Sequence, residues 1–205
     1  MKLKLYTASL CLAFSVSSAI HAQVAPQAAY MQPRADKSIL TDIIKTDAGY
    51  VVAGERGHIL LSADGATWQQ AKVPVQSNLN SVFFVNNQQG WAVGHDVTIL
   101  RTTNGGQEWQ LQKFSPELDK PLFDIVFKND SEGLAIGAYG LTLRTQDAGA
   151  TWVQEYHAEL ANADDQVILN ELKTSDPSAF EEEANSVLPH LNRIVRVGET
   201  LHMVG

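Results

Sequence analysis

The sequence predicts an all-β fold, a β-propeller of four-stranded blades with about three and a half blades present and a short helical acidic insertion. Three observations predict it: a repeat, an apolar strand before each repeat, and a turn motif inside each one. Three segments open on glycine and close on tryptophan, and the closing residues Trp68, Trp109 and Trp152 recur at intervals of 41 and 43. A period of about 40 to 50 residues with four short strands per unit is typical of a propeller blade.

Each repeat is predicted to begin with a short apolar strand A, the innermost strand of its blade. These strands cover Ile39–Ile44, Leu79–Phe84 and Leu122–Phe127. A turn rich in Gly, Asn and Asp follows, because these residues suit hairpin turns. Strand B then mixes large and small apolar residues without alternation, as expected for a strand covered on both faces. Its final glycine, Gly54, Gly94 or Gly137, suits a close backbone approach near the axis.

The turn between strand C and strand D, which is predicted to start at the tryptophan, carries the most specific motif. The third repeat matches Ser/Thr-x-Asp-x-Gly-x-Thr-Trp, the Asp-box, at every defined position; the second has Asn for Asp, and the first lacks one residue before its glycine. The carboxylate or amide oxygen is expected to accept backbone N–H bonds, which favours a structural role over a catalytic or metal-binding one. The residues concerned are Ser62, Asp64, Gly65, Thr67, Trp68, Thr102, Asn104, Gly106, Trp109, Thr145, Asp147, Gly149, Thr151 and Trp152.

The N-terminal residues predict export. Residues 1–22 have the charged, apolar and small-residue order of a secretory signal peptide, and residues 23–38 are predicted to be a linker. The apolar run is too short to span a bilayer, so the mature chain is not expected to cross a membrane. The single cysteine, Cys11, lies in this leader, which leaves the mature chain without a disulfide or a thiolate metal site.

The C-terminal part begins a further repeat. Residues 39–152 form the three blades, 153–190 the insertion and 191–205 the truncated start of a fourth blade, with Gly205 at the position of Gly54. Because an incomplete arc cannot close a ring, we expect the N-terminal part of a longer propeller. An arc completed by a second chain is the alternative.

The insertion at 153–190 holds the excess of negative charge. It carries nine Asp or Glu residues against one Lys, and nine minus one equals the net charge of −8 for the whole chain. Asp176 and Pro177 predict a helix start, with Phe180, Ala184 and Val187 or Leu188 on one face, and Gln166–Leu172 predicts a second helix. We expect it to rise over the rim of the B–C loops and partly to cover the axial channel.

The charge of the insertion favours a basic protein partner, and a solvated acidic lid is the alternative. The chain has no basic stripe, so nucleic acid is not expected as a partner.

Candidate partner-binding residues lie in the loops between strands B and C. These loops repeat their frame but vary at Glu55, Arg56, His95, Asp96 and Tyr139, as in propellers that present a specific surface on a generic scaffold. Plain soluble turns are the alternative. The adjacent His95 and Asp96 have no second metal ligand or nucleophile beside them, so no catalytic residue, metal or cofactor is predicted.

With these motifs placed, the chain resembles the exported seven-bladed propellers of the photosystem II stability and assembly factor family, a branch of the BNR-like repeat proteins. The resemblance covers Ile39–Trp152 and resumes at Leu191. It implies a non-catalytic scaffold that binds a membrane-protein or envelope complex in the periplasm, or in the thylakoid lumen of a photosynthetic host. Arg101 and Arg144 occupy equivalent places that could belong to the family's basic binding patch.

Two features leave alternatives open. Leu61 replaces the arginine in the first blade, and both arginines could simply pair with neighbouring carboxylates. The rival function is a sialidase-like or sugar-binding propeller, since such enzymes share the repeat. The Arg-Ile-Pro motif of sialidases does not occur in the chain, where the nearest candidate is the Gln-Pro-Arg-Ala-Asp sequence around Arg34.

Overall fold

The computed structural model describes residues 25–205, and the predicted signal peptide at 1–22 lies outside the described residues. Three four-stranded antiparallel sheets and one two-stranded sheet follow one another along the chain. Their strands are β1 (Leu40–Thr46), β2 (Gly49–Gly54), β3 (Ile59–Ser62), β4 (Gln69–Gln70), β5 (Leu79–Phe84), β6 (Gly90–Gly94), β7 (Ile99–Thr102), β8 (Gln110–Lys113), β9 (Leu122–Phe127), β10 (Gly133–Gly137), β11 (Thr142–Thr145), β12 (Val153–Glu155), β13 (Arg193–Val197) and β14 (Thr200–Val204).

The four sheets are successive propeller blades. Each sheet is a meander, and the first strands lie side by side, β1 against β5, β5 against β9, and β9 against β13. The predicted innermost strand A is therefore confirmed, and β5 and β9 have the predicted bounds. Strand D differs from its prediction, since β4, β8 and β12 start one residue after the tryptophan. The tryptophan lies in the preceding turn, where it packs against the sheets.

The core lies between the blades. All five residues of β6 and all five of β10 are buried, which confirms a strand B covered on both faces. One cluster joins Val51 of blade 1 to Leu79 and Trp109 of blade 2, and another joins Trp91 of blade 2 to Phe127 of blade 3. Neighbouring blades thus share each apolar cluster, as wedges around an axis must.

A glycine ends strand B because the start of strand A passes too close for a side chain. A Cβ on Gly94 would collide with the carbonyl oxygen of Asn78, the residue before β5. Gly54 and Gly137 would collide in the same way with the residue before their own strand A, and Gly205 with the carbonyl oxygen of His190, three residues before β13. A shift of register near the start of strand A accompanies this approach in the three complete blades. The close approach is therefore between two strands of one blade.

Aspartates on the inner strands link neighbouring blades. Val82 N donates to Asp42 Oδ2 at 2.9 Å, and Ile194 N donates to Asp124 Oδ2 at 2.8 Å. Ser81 Oγ lies between the two carboxylates, 3.0 Å from Asp42 Oδ2 and 2.7 Å from Asp124 Oδ1. These bonds tie each inner strand to the next one around the axis.

The insertion is a helical hairpin of α1 (Ala163–Ser175) and α2 (Pro177–Val187). Asp176 caps α2 as predicted, its Oδ1 accepting Ser178 N and Ala179 N at 3.1 Å each. The first helix is longer than the predicted Gln166–Leu172, because Asn162 Oδ1 caps it at Asp164 N and Asp165 N. No helix between residues 25 and 205 is long and apolar enough to cross a membrane.

The hairpin has its own core and docks on blade 3. Leu169, Phe180, Ala184 and Leu188 are buried together, which confirms the predicted apolar face of α2. Leu188 lies against Gly140, whose N–H donates to Pro189 O at 2.7 Å. Outside the insertion, α2 packs mainly against this B–C turn, and its Asn185 Oδ1 accepts from Lys120 Nζ at 2.5 Å. A cover over the axial channel stays a prediction.

The N-terminal segment packs along the outer edge of blade 1. Residues 25–38 fall in the predicted linker, yet Ala29 N donates to Val73 O at 2.9 Å, and Gln70 Nε2 donates to Tyr30 O at 2.9 Å. Ala35 is buried with Val52, Leu60 and Trp68. This part of the chain covers a flank of the first sheet.

Candidate functional site

One rim of the arc carries the three B–C turns, and the third residue of each turn has a left-handed backbone. The φ angles are 56° at Arg56, 59° at Asp96 and 53° at Tyr139. Such a conformation costs a residue other than glycine about 1–3 kcal/mol and is concentrated at functional sites. Three residues that vary between the repeats, Arg56, Asp96 and Tyr139, thus share a strained backbone conformation at equivalent positions.

A residue of the following D–A connection holds two of these turns. Asn78 Oδ1 accepts Arg56 N at 2.9 Å, and His190 Nδ1 accepts Tyr139 N at 3.2 Å. Asp96 is held differently, with its Oδ2 accepting from Ser77 Oγ at 2.5 Å. These bonds place the D–A connections on the same rim as the B–C turns.

The five predicted partner-binding residues share this rim in three separate B–C turns. Glu55 Oε1 accepts Ile39 N at 3.2 Å, and the side chain of His95 is exposed. No hydrogen bond or ion pair of the described residues joins any two of Glu55, Arg56, His95, Asp96 and Tyr139. The rim is therefore an extended surface with separate contact points.

At blade 3 the rim carries an aromatic cluster with one cation, which we call the rim cluster: Tyr139, His190, Phe123 and Lys120. The Tyr139 and His190 rings lie 4.6 Å apart, and Phe123 lies 6.1 Å from His190. Lys120 Nζ lies 5.7 Å from the centre of the Tyr139 ring, and burial lowers the pKa of this lysine. Tyr139 is nevertheless 44% exposed, so the cluster offers a flat apolar face to a partner.

Three members of the rim cluster were absent from the sequence prediction. Phe123 lies at the start of β9, and Lys120 and His190 lie just before a strand A. Nothing in the repeat pattern distinguishes these positions from ordinary residues of the blade. The signal that could have found them is their place in the blade, because residues before strand A contact the B–C turns.

The two strand C arginines are not part of the rim cluster. Arg144 Nε lies 2.6 Å from Glu155 Oε1 within the same blade, as the carboxylate-pairing alternative predicts. The guanidinium of Arg101 lies 5.8 Å from the Trp91 ring, and its Nε has no hydrogen-bond partner among residues 25–205. Leu61, at the equivalent place in blade 1, packs against the apolar cluster between blades 1 and 2. A basic patch formed by these positions stays a prediction.

The C–D turns lie on the opposite rim and are stabilised by their own side chains. Asp147 Oδ1 accepts Thr151 N at 2.8 Å, and Thr145 Oγ accepts Gly149 N at 2.8 Å. The same acceptor bonds recur at Asp64 with Thr67 N and at Asn104 with Glu108 N. Gly65, Gly106 and Gly149 have φ angles of 75°, 88° and 87°, while Trp109 and Trp152 pack against Phe84 and Phe127. The side-chain oxygens of these turns thus bind the backbone.

We expect two of these turns to weaken in acid. Hydrogen bonds from Thr151 lower the pKa of Asp147 to about 2, and bonds from Thr67 and Ala66 N–H groups do the same for Asp64. A depressed carboxyl pKa adds stability above the ordinary value of 3.8, and that stability is lost as the pH falls to about 2. The double variant Asp64→Asn/Asp147→Asn should therefore lose less stability than wild type over this interval.

Urea denaturation at pH 7, 5, 3 and 2 measures this difference. Asn104 shows that an amide can hold the turn, so the variant is expected to fold. Equal loss of stability in the two proteins between pH 5 and pH 2 would contradict the assignment.

The rim of the B–C turns carries exposed groups that can contact a partner, and the described residues include no candidate metal centre. Among residues 25–205, no group of three or more His, Cys, Asp or Glu side chains is placed to hold a metal ion. His95 stands next to Asp96, but Asp96 already accepts a bond from Ser77. This surface can therefore bind a partner through aromatic contacts, hydrogen bonds and charge.

The chain resembles proteins that assemble photosystem II. Photosystem II assembly protein Ycf48 of Synechococcus sp. (strain JA-3-3Ab) is 40% identical over 50 residues, which is 23% of this chain and 15% of that protein. Its counterpart in Synechococcus sp. (strain JA-2-3B'a(2-13)) is 38% identical over 48 residues, 22% of this chain and 14% of that protein. This chain thus matches less than a sixth of the length of these curated relatives.

Solved structures show the same fold. One described as YCF48 bound to D1 peptide has a TM-score of 0.50 at 27% identity, covering 57% of this chain and 40% of that one. YCF48 from Cyanidioschyzon merolae has a TM-score of 0.50 at 22% identity, covering 58% of this chain and 40% of that one, and shows the fold alone. The family model described as Photosynthesis system II assembly factor YCF48 matches residues 60–168, more than half of the sequence. This chain therefore belongs to the YCF48 family of photosynthesis system II assembly factors.

Proposed function

We propose that this protein is an exported, non-catalytic propeller scaffold that binds a segment of a membrane-protein or envelope complex through the rim of its B–C turns. The observation that carries the proposal is the rim cluster, in which an exposed aromatic face lies on a strained turn beside a cation. Family membership supports it, since the relative at 27% identity is described as bound to a D1 peptide. The site of action is the periplasm, or the thylakoid lumen if the host is photosynthetic.

The acidic hairpin gives this rim a preference for basic segments. Helix α2 docks beside Tyr139 and carries Glu181, Glu182 and Glu183 in a row. Glu181 and Glu182 are exposed, so their charges face solvent on the helix whose Asn185 binds Lys120 of the rim cluster. A partner segment with Lys or Arg flanking an apolar or aromatic residue would match both features. The charge would act mainly on the rate of association and on specificity.

The alternative is a carbohydrate-active propeller. The relatives that match this chain are named as assembly proteins, which favours a scaffold. The described residues of the rim also include no nucleophile paired with a base. Purified protein incubated with a fluorogenic sialoside is expected to release no more fluorophore than buffer does. Turnover above that background would overturn the non-catalytic part of the proposal.

Site-specific photocrosslinking tests the binding part. A photoreactive phenylalanine analogue at Tyr139 is expected to capture a membrane protein in membranes of the host, while the same analogue at Asp130 on the opposite rim should not. Neutralising the hairpin with Glu181→Gln, Glu182→Gln and Glu183→Gln should reduce the yield at position 139. A matched triple Glu-to-Gln variant at Glu108, Glu132 and Glu199, which lie in turns of the opposite rim, controls for net charge.

Two results would contradict this proposal. Equal capture from both rims would show that the B–C turns are not the binding surface. Equal loss in the two triple variants would show that overall charge, and not the hairpin, attracts the partner.

A further inference from the structure

We propose that His190 makes partner binding at blade 3 depend on pH: the rim cluster binds while this ring is neutral and releases its partner when the ring is protonated. The inference rests on the proposed scaffold function and adds the regulation of the same surface. Histidine is the side chain whose charge ordinarily changes between about pH 5 and 8. Tyr139 N donates to His190 Nδ1 at 3.2 Å, so the protonation of one ring nitrogen decides whether the strained turn keeps this bond.

The bond between Tyr139 and His190 requires a neutral ring. A backbone N–H can only donate, so Nδ1 accepts with its lone pair and the ring proton lies on Nε2. Protonation would place an N–H at Nδ1, facing the N–H of Tyr139, and two donors repel each other. Tyr139 has a φ of 53°, a conformation that persists only while its surroundings hold it. Loss of the bond therefore allows the turn to move, and with it the exposed tyrosine ring.

The equivalent places in the earlier D–A connections carry no titratable side chain. Asn78, Pro121 and His190 are equivalent because the carbonyl oxygen of each lies against the glycine that ends strand B of the following blade. Asn78 Oδ1 accepts Arg56 N at 2.9 Å, and an amide oxygen accepts at any pH near neutrality. Pro121 has no side-chain acceptor, and the turn of blade 2 is held through Ser77 instead. Of these three residues, His190 is the one that can lose its acceptor by protonation.

Charges of both signs lie near His190. Lys120 Nζ lies 5.7 Å from the centre of the Tyr139 ring, against which the His190 ring packs at 4.6 Å, and Phe123 on the other side is uncharged. The glutamates at 181–183 lie on α2, which packs on the same turn, and favour a positive charge there. No carboxylate of residues 25–205 forms an ion pair with His190. A protonated ring therefore adds a second cation beside Tyr139, which repels a basic partner segment.

NMR of the full chain without a partner tests the bond. Between pH 7.5 and 5.5, the protection of the Tyr139 amide against hydrogen exchange is expected to fall about fivefold, as for one lost hydrogen bond. The Arg56 amide, held by Asn78, is the internal control and should keep its protection. Burial lowers the pKa of His58 next to that turn, so it titrates at a lower pH than an exposed histidine. His190→Asn, which supplies the acceptor used in blade 1, should remove the change at Tyr139.

Photocrosslinking tests the effect on binding. The phenylalanine analogue at position 139 keeps the backbone N–H, so the yield of captured membrane protein is expected to fall about five- to tenfold between pH 7.5 and 5.5. His190→Asn should make the two yields equal, whereas His202→Asn, at an exposed histidine of β14, should keep the difference.

The two measurements separate failure of this inference from failure of the scaffold function. Equal behaviour of the Tyr139 and Arg56 amides, or a fall in yield that persists in His190→Asn, would overturn the role of His190. Capture that is equal at pH 7.5 and 5.5 would also overturn it and leave the scaffold function standing. Absence of capture at both pH values would contradict the scaffold function, and with it the regulation of binding, although the Tyr139 amide would still respond to pH.

Discussion

Replacing Trp91 with alanine is expected to lower the free energy of unfolding by about 3–5 kcal/mol, the usual cost of deleting a fully buried large aromatic side chain. The indole is 0% exposed and stacks on Phe127 with ring centres 3.4 Å apart. Phe127 in turn meets Trp152 edge to face at 6.1 Å. The substitution therefore opens a cavity between blades 2 and 3 and removes an aromatic contact on which a second one rests.

Tyr50→Ala is the comparison for this prediction. It deletes an aromatic residue on strand B of blade 1, but Tyr50 is paired with Ser62 as Gly90 is with Thr102, and its ring is half-buried. Thermal unfolding should show a fall on the order of 10 °C for Trp91→Ala and a clearly smaller one for Tyr50→Ala. Equal shifts would mean that burial between blades 2 and 3 does not set the cost of deleting the indole.

The blade frame could be predicted from sequence because its causes are local. Gly94 and Gly137 recur where strand A leaves no room for a Cβ, and that requirement repeats with the blade. Asp176 followed by Pro177 predicts the start of α2, because an N-cap and a first-turn proline favour a helix through contacts with only the next few residues. The repeat therefore predicted the bounds of the strands to within one or two residues.

The candidate site was harder to predict because its contacts join residues far apart in the chain. His190 reaches Tyr139 across 51 residues, and no local pattern marks either one as part of a cluster. The left-handed backbone at Arg56 and Tyr139 also gave no signal, since neither residue is a glycine.

The two rims differ in a way that separates stability from binding. On the C–D rim, Asp147 and Thr145 satisfy backbone N–H groups of their own turn, so most of their capacity is spent. On the B–C rim, Tyr139 keeps its ring exposed although its backbone is held by His190. A partner that binds the B–C rim can therefore use side chains without breaking the bonds that hold the turn.

Asp124→Ala is expected to destabilise the protein by about 3–5 kcal/mol, as when one partner of a buried charged network is removed. The carboxylate is 4% exposed and accepts Ser81 Oγ at 2.7 Å, Ile125 N at 3.0 Å and Ile194 N at 2.8 Å. Arg193 Nε lies 3.5 Å away. Alanine would take this acceptor from the Ile125 and Ile194 N–H groups, while Ser81 Oγ keeps Asp42 Oδ2 at 3.0 Å. Each unsatisfied buried donor costs about 1–3 kcal/mol.

Urea denaturation measures the size of this loss of stability, and hydrogen exchange shows where in the fold it occurs. The Ile194 amide should lose protection in Asp124→Ala more than the amides of β2 do, because Asp124 is its acceptor and blade 1 lies two blades away. Asp130→Ala, an exposed aspartate in the turn after β9, should change neither stability nor exchange. Unchanged protection at Ile194 would show that blade 4 is held by its apolar cluster with Val126 and Leu134, and not by the carboxylate.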